Sequence, residues 1–156
     1  MNKLNLKNKK GFTLVELLAV IVVLAIIILI AMPAVLSSME KARKKSFAVE
    51  ANEVIRAAQT AYADAVMQGK SGNTFCITYD YLKNGFLEKN DNSYTGSVKL
   101  VIDPSSGTTD YTIWFANNNY IIENAKPDIT TDKVSSKGSK TVSKDCGGVT
   151  GATKLE

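Results

Sequence analysis

Histidine is absent from this chain of 156 residues. That removes Ser–His and Cys–His nucleophilic machinery and the commonest metal ligand. Cysteine is scarce, and Cys76 and Cys146 form neither a CxxC pair nor a zinc-ligand spacing. No GxGxxG, P-loop or nucleophile elbow occurs, and the carboxylates are scattered. Asp128, Asp132 and Asp145 read as solvated loop acids rather than a calcium set. An enzyme, a cofactor and a bound metal are therefore not expected. Charge is missing in two places. Residues 17–39 contain no Asp, Glu, Lys or Arg, and residues 1–10 contain no acid. Lys3, Lys7, Lys9 and Lys10 thus account for the formal net charge of +4, and the remaining 15 basic residues face 15 acidic ones. No nucleic-acid partner is expected from that balance.

As a helix, residues 17–39 span roughly 35 Å, enough for a hydrocarbon core of about 30 Å. Glu16 interrupts the start of this run. An acid at the centre of a membrane helix costs about 2.5–3.5 kcal/mol, and less near an end. No partner for it within one subunit is evident from the sequence. Three readings fit the segment. One is a secretory signal peptide with a weak cleavage site at Val35-Leu36-Ser37, although the run is long for an h-region. The second is a signal anchor, which charge bias does not orient, because Lys41, Arg43, Lys44 and Lys45 follow the run as closely as four lysines precede it.

The third rests on Gly11-Phe12-Thr13-Leu14-Val15-Glu16 behind a lysine-rich leader. This stretch resembles the N-terminus of type IV pilins: a glycine, a hydrophobic residue, a short segment, and a glutamate four residues beyond that hydrophobic residue. The resemblance is specific over residues 1–67 and architectural beyond. It implies that a prepilin peptidase cuts after Gly11 and that Phe12 becomes an N-methylated terminus. It also implies that Glu16 pairs with the Phe12 amine of a neighbouring subunit. Pro33 removes a backbone hydrogen bond and disturbs the helix near Leu29 and Ile30. The resemblance marks it as a segment that unwinds on assembly; a static kink is the alternative.

From Glu40 to Gln68 the helical period continues. Phe47, Ala51, Val54, Ile55, Ala58, Ala61, Tyr62 and Ala65 share one face, with Glu53, Arg56, Thr60 and Asp64 opposite. Gly69 is a suitable stop. One helix of about 55 residues would be roughly 80 Å long. The basic cluster Lys41 to Lys45 is expected just outside a bilayer, solvated or in contact with acids of adjacent subunits.

Gly69 to Asn73 reads as a linker. Thr78 reads as the cap of a short helix over Tyr79 to Lys83, which ends at Asn84-Gly85. Three strands follow, around Val98–Ile102, Tyr111–Phe115 and Tyr120–Ile122, as an antiparallel meander. Their apolar face needs the amphipathic helix. Val101 and Trp114 fall on the other face, which the Ser-, Thr- and Lys-rich segment Lys126 to Glu156 is expected to cover in part. In an exported domain the two cysteines are expected to pair, with two buried thiols as the alternative. Leu155-Glu156 reads either as native chain or as an appended remnant.

The expected fold is α+β and pilin-like: one long N-terminal helix, transmembrane in its first half and amphipathic in its second, on a small antiparallel sheet. The expected divisions are a cleaved leader (1–11), an assembly helix (12–39) and a globular domain (40–156). Within the domain, helix occupies 40–68, linker and short helix 69–92, the sheet 93–124 and the C-terminal region 125–156. The resemblance implies a homopolymer, a peptidase/methylase, an assembly ATPase and a membrane platform protein. It implies a single-pass cytoplasmic-membrane protein that becomes part of a pilus on the bacterial surface, serving adhesion, twitching motility or biofilm formation. A pseudopilin of a secretion or competence system, and a membrane-anchored binding domain that never polymerises, are the alternatives.

Overall fold

The computed structural model describes residues 11–88 and 91–156. The leader lysines lie outside them. The chain divides into two compact units, 1–40 and 41–156. Helix α1, Leu14–Met67, contributes to both.

In the first unit α1 contains a span long and apolar enough to cross a membrane, with none of it buried. Its aliphatic side chains are exposed all round. A helix apolar on every side needs lipid or other helices as its solvent. The helix continues through Pro33.

In the second unit the period seen in the sequence becomes a buried stripe. Phe47, Ala51, Val54, Ile55, Ala58, Ala61 and Ala65 are buried, joined by Ala48 and Ala57, while Tyr62 is partly buried. Six of these nine buried residues are alanines, and Phe47 is the largest of the nine. Its ring lies 5.2 Å from Phe115, which in turn stacks at 5.2 Å on Tyr94.

The sheet has six strands rather than the three expected, and it is mixed rather than antiparallel throughout. Its strands are β1 (Thr74–Thr78), β2 (Thr95–Ile102), β3 (Thr109–Ala116), β4 (Tyr120–Ala125), β5 (Ser135–Ser136) and β6 (Thr153–Leu155). Their order is β5-β4-β3-β2-β1-β6, with β6 parallel to β1 and every other pairing antiparallel. The meander β2–β3–β4 is the expected part. Strand β1 occupies sequence expected to be linker and helix cap. It lacks alternation because Phe75, Cys76 and Ile77 are all buried, a pattern that follows when both faces of a strand are covered. Thr78 ends it and caps α2, Tyr79–Lys83, by accepting a hydrogen bond from the Tyr81 amide.

Gly96 in β2 is required by its neighbours. Its φ is +153°, and a Cβ there would sit 2.1 Å from the Trp114 carbonyl oxygen of β3. Strand glycines of this kind mark a close backbone approach. Gly96→Ala is expected to destabilise the fold by about 3 kcal/mol or more, through strain and a broken β2–β3 register. A drop in the thermal unfolding midpoint would be the readout.

The C-terminal region does more than cover a face. It supplies Ile129, Val134, Cys146 and Leu155 to the interior. Asn52 on α1 donates to the Ile129 carbonyl and accepts from the Ile129 amide, both at 3.0 Å, as a strand would. On the opposite side Gly147 lies against the Trp114 ring, whose own side chain is half-buried. Buried Ser97 donates to the Ser143 carbonyl and accepts from the Cys146 amide, each at 3.0 Å. Leu155 is fully buried in β6 and adds to the core.

Candidate assembly site

Gly11 and Phe12 precede α1 and have no regular structure. Phe12 is 91 % exposed. A Cβ added at Gly11 would meet nothing within 4 Å. Neither residue is held by the fold.

Thr13 and Glu16 begin the helix together. The Thr13 amide and hydroxyl both donate to Glu16 Oε2 at 2.8 Å, and the Glu16 amide donates to Thr13 Oγ1 at 3.3 Å. This is a reciprocal capping box, in which N-cap threonine and N3 glutamate satisfy each other's backbone donors. A carboxylate in the first turn also suits the positive end of the helix dipole. The sequence suggested no partner for Glu16 within one subunit; the structure corrects that. The signal was legible, because Thr13-Leu14-Val15-Glu16 has the spacing of such a box. The same residues also carry the resemblance to a pilin N-terminus, which masks the box in the sequence. Both Thr13 bonds fall on Oε2, and among the described residues Oε1 accepts none and no cation pairs with Glu16.

Pro33 lies two turns beyond Ala25 on the apolar helix, where Ile28, Leu29, Met32 and Leu36 surround a shallow apolar depression. The two cysteines sit far from this end in sequence. They form a disulfide with a Cα–Cα distance of 5.9 Å, and both are buried. It links β1 to the loop over Trp114, closing 70 residues of chain. In the chain-entropy view such a closure stabilises by about 4 kcal/mol. Cys76→Ser with Cys146→Ser is expected to lose roughly that amount, measured as a lower unfolding midpoint that reductant no longer shifts.

No group of three or more metal-ligating side chains is found among the described residues. The arrangement at residues 11–16 offers an exposed peptide bond, a helix cap and one carboxylate at the mouth of an apolar helix.

A long helix on a mixed sheet, led by an uncovered apolar segment, defines an α+β, pilin-like protein. Residues 6–32 match the family model of the prokaryotic N-terminal methylation motif, the motif of type IV prepilin-like proteins. That motif goes with prepilin peptidase processing, membrane anchoring and a structural, pilin- or pseudopilin-like role. Neither a curated protein nor a solved structure matches the chain.

Proposed function

We propose that this chain is the structural subunit of a type IV pilus and polymerises through the apolar half of α1. The observation that carries this reading is the coincidence of the methylation motif with a helix segment left uncovered on every side. In the membrane, lipid surrounds that segment. In a filament, neighbouring helices replace the lipid, and packing rather than water exclusion drives the exchange. The contact is heterologous, because one surface of a subunit meets a different surface of the next, so it propagates without closing.

In this reading the peptidase cuts after Gly11 and methylates Phe12. Thr13 and Glu16 both remain in the mature chain, so the capping box survives the cut. The new Phe12 amine of one subunit pairs with Glu16 of its neighbour. In an apolar interior such a pair fixes register more than it adds net stability. Pro33 weakens the helix ladder where segments must adjust as they pack. An assembly ATPase and a platform protein in the cytoplasmic membrane drive extrusion. The globular unit then faces the outside of a surface filament that serves adhesion, twitching motility or biofilm formation.

Two measurements test this. Intact mass spectrometry of the membrane fraction is expected to find a chain beginning at methylated Phe12. Electron microscopy is expected to find long surface filaments that disappear on deletion of this chain. Filaments confined to the cell envelope would favour a pseudopilin of a secretion or competence system. An uncut chain would leave a membrane-anchored binding domain.

A further inference from the structure

One groove in the second unit has no part in the function proposed above. It encloses about 560 Å³ between α1 and the segment carrying Phe86 and Tyr94. Among the described residues four carboxylates line it, Glu50, Glu53, Glu88 and Asp91, against one cation, Arg56. Its floor includes the rings of Tyr79 and Phe115. The Tyr94 hydroxyl donates to Glu50 at 2.7 Å. Burial, reinforced by that bond, pushes the Tyr94 hydroxyl well above its ordinary range, so it remains a donor that orients Glu50 into the groove.

A cavity that is acidic at its edge and aromatic at its base suits lysine and arginine side chains, whose aliphatic stems take the apolar wall. This chain carries such a group on the same helix. Lys41, Arg43 and Lys45 are exposed and make no ion pair among the described residues. Resting on the polymer reading, we propose that the groove of one subunit receives the basic segment Lys41–Lys45 of a second copy of this chain. Arg43 precedes Glu50 and Glu53 by seven and ten residues. A parallel copy shifted along the helix axis by roughly 10–15 Å therefore brings its basic segment level with these carboxylates. Segment and groove are different surfaces, so the contact repeats from subunit to subunit without closing. It would set the axial step of the filament from outside the apolar helices.

The test is a charge exchange in the full chain in its own cell. Arg43→Glu with Lys45→Glu is expected to lower filament yield at least tenfold. Glu53→Lys with Glu88→Lys is expected to do the same. All four together are expected to recover most of it. Leader removal by mass spectrometry and an oxidised Cys76–Cys146 bond check processing and folding in each variant. Unchanged yield in either pair, or no recovery in the combination, overturns the proposal. Wild-type filaments that tolerate both pairs defeat this contact alone, whereas a wild-type chain that is cut but never forms filaments defeats the polymer reading and this contact with it. If a variant fails to accumulate, carbodiimide cross-linking of wild-type filaments decides. Bonds from Lys41 or Lys45 of one chain to Glu53 or Glu88 of another support the contact, and their absence overturns it.

Discussion

Gly11→Val is expected to yield a folded, membrane-bound chain that keeps its leader and builds no filament. Glycine is usually explained by a left-handed backbone or by crowding, and neither holds at Gly11. Its φ lies outside the left-handed region, and a side chain there would meet nothing within 4 Å. Gly96 is the contrast within the same chain, where a Cβ would strike the neighbouring strand. Replacing Gly11 therefore has no folding cost, and whatever the substitution does is done to another molecule. A peptidase that must lay the scissile backbone against its own catalytic groups requires a residue without a Cβ. A branched side chain at that bond is expected to slow cleavage by about 100-fold or more, equivalent to roughly 3 kcal/mol of lost transition-state contact. Intact mass spectrometry should then find residues 1–11 still attached in nearly all of the chain. The disulfide and the thermal midpoint should equal those of the parent. Normal cleavage of this variant would overturn the requirement for glycine at the processing site.

The same contrast explains how far the sequence could be read. Features repeated along a single element were legible. The uncharged run over residues 17–39 and the stripe from Phe47 to Ala65 each repeat a local rule, and both lie on α1. The meander was legible because β2, β3 and β4 follow one another with turns between them. Strands β1 and β6 were not. Their pairing joins Phe75 to Thr153 across most of the domain, and β6 offers one buried apolar residue, Leu155. No local period announces such a strand, because its stability comes from its neighbours. The covering of Trp114 could be anticipated from an orphaned aromatic ring. The manner of it could not, since it depends on Ser97 holding the Cys146 loop from β2. At the candidate site the motif named Gly11, Phe12 and Glu16, while the hydrogen bonds showed that Glu16 already has work to do within one subunit.

That second duty gives Glu16→Gln more resolving power than Glu16→Ala. Alanine removes both the cap and the charge, so failed assembly would have two explanations. Glutamine at N3 still accepts from the Thr13 amide and completes the capping box, and the helix is expected to start where it does now. Only the negative charge is lost. Glu16→Gln should therefore insert, lose its leader and methylate as the parent does, yet leave filaments reduced by about 100-fold or more. The magnitude follows from the other partner. Without the carboxylate, each Phe12 ammonium is placed in an apolar interior with no counter-charge, a loss of about 3–5 kcal/mol per contact, and about 1.4 kcal/mol is tenfold in association. Alanine should assemble no better and should also lose about 1 kcal/mol of helix-start stability. The geometry allows both duties at once. Thr13 occupies Oε2 alone, a carboxylate has about four lone-pair sites, and Oε1 is left open to the amine that the proposed polymer would bring. Wild-type filaments from Glu16→Gln, counted by electron microscopy beside leader removal by mass, would reduce Glu16 to a helix cap. The register of the polymer would then have to come from contacts elsewhere, with the groove at Glu53 and Glu88 the first place to look.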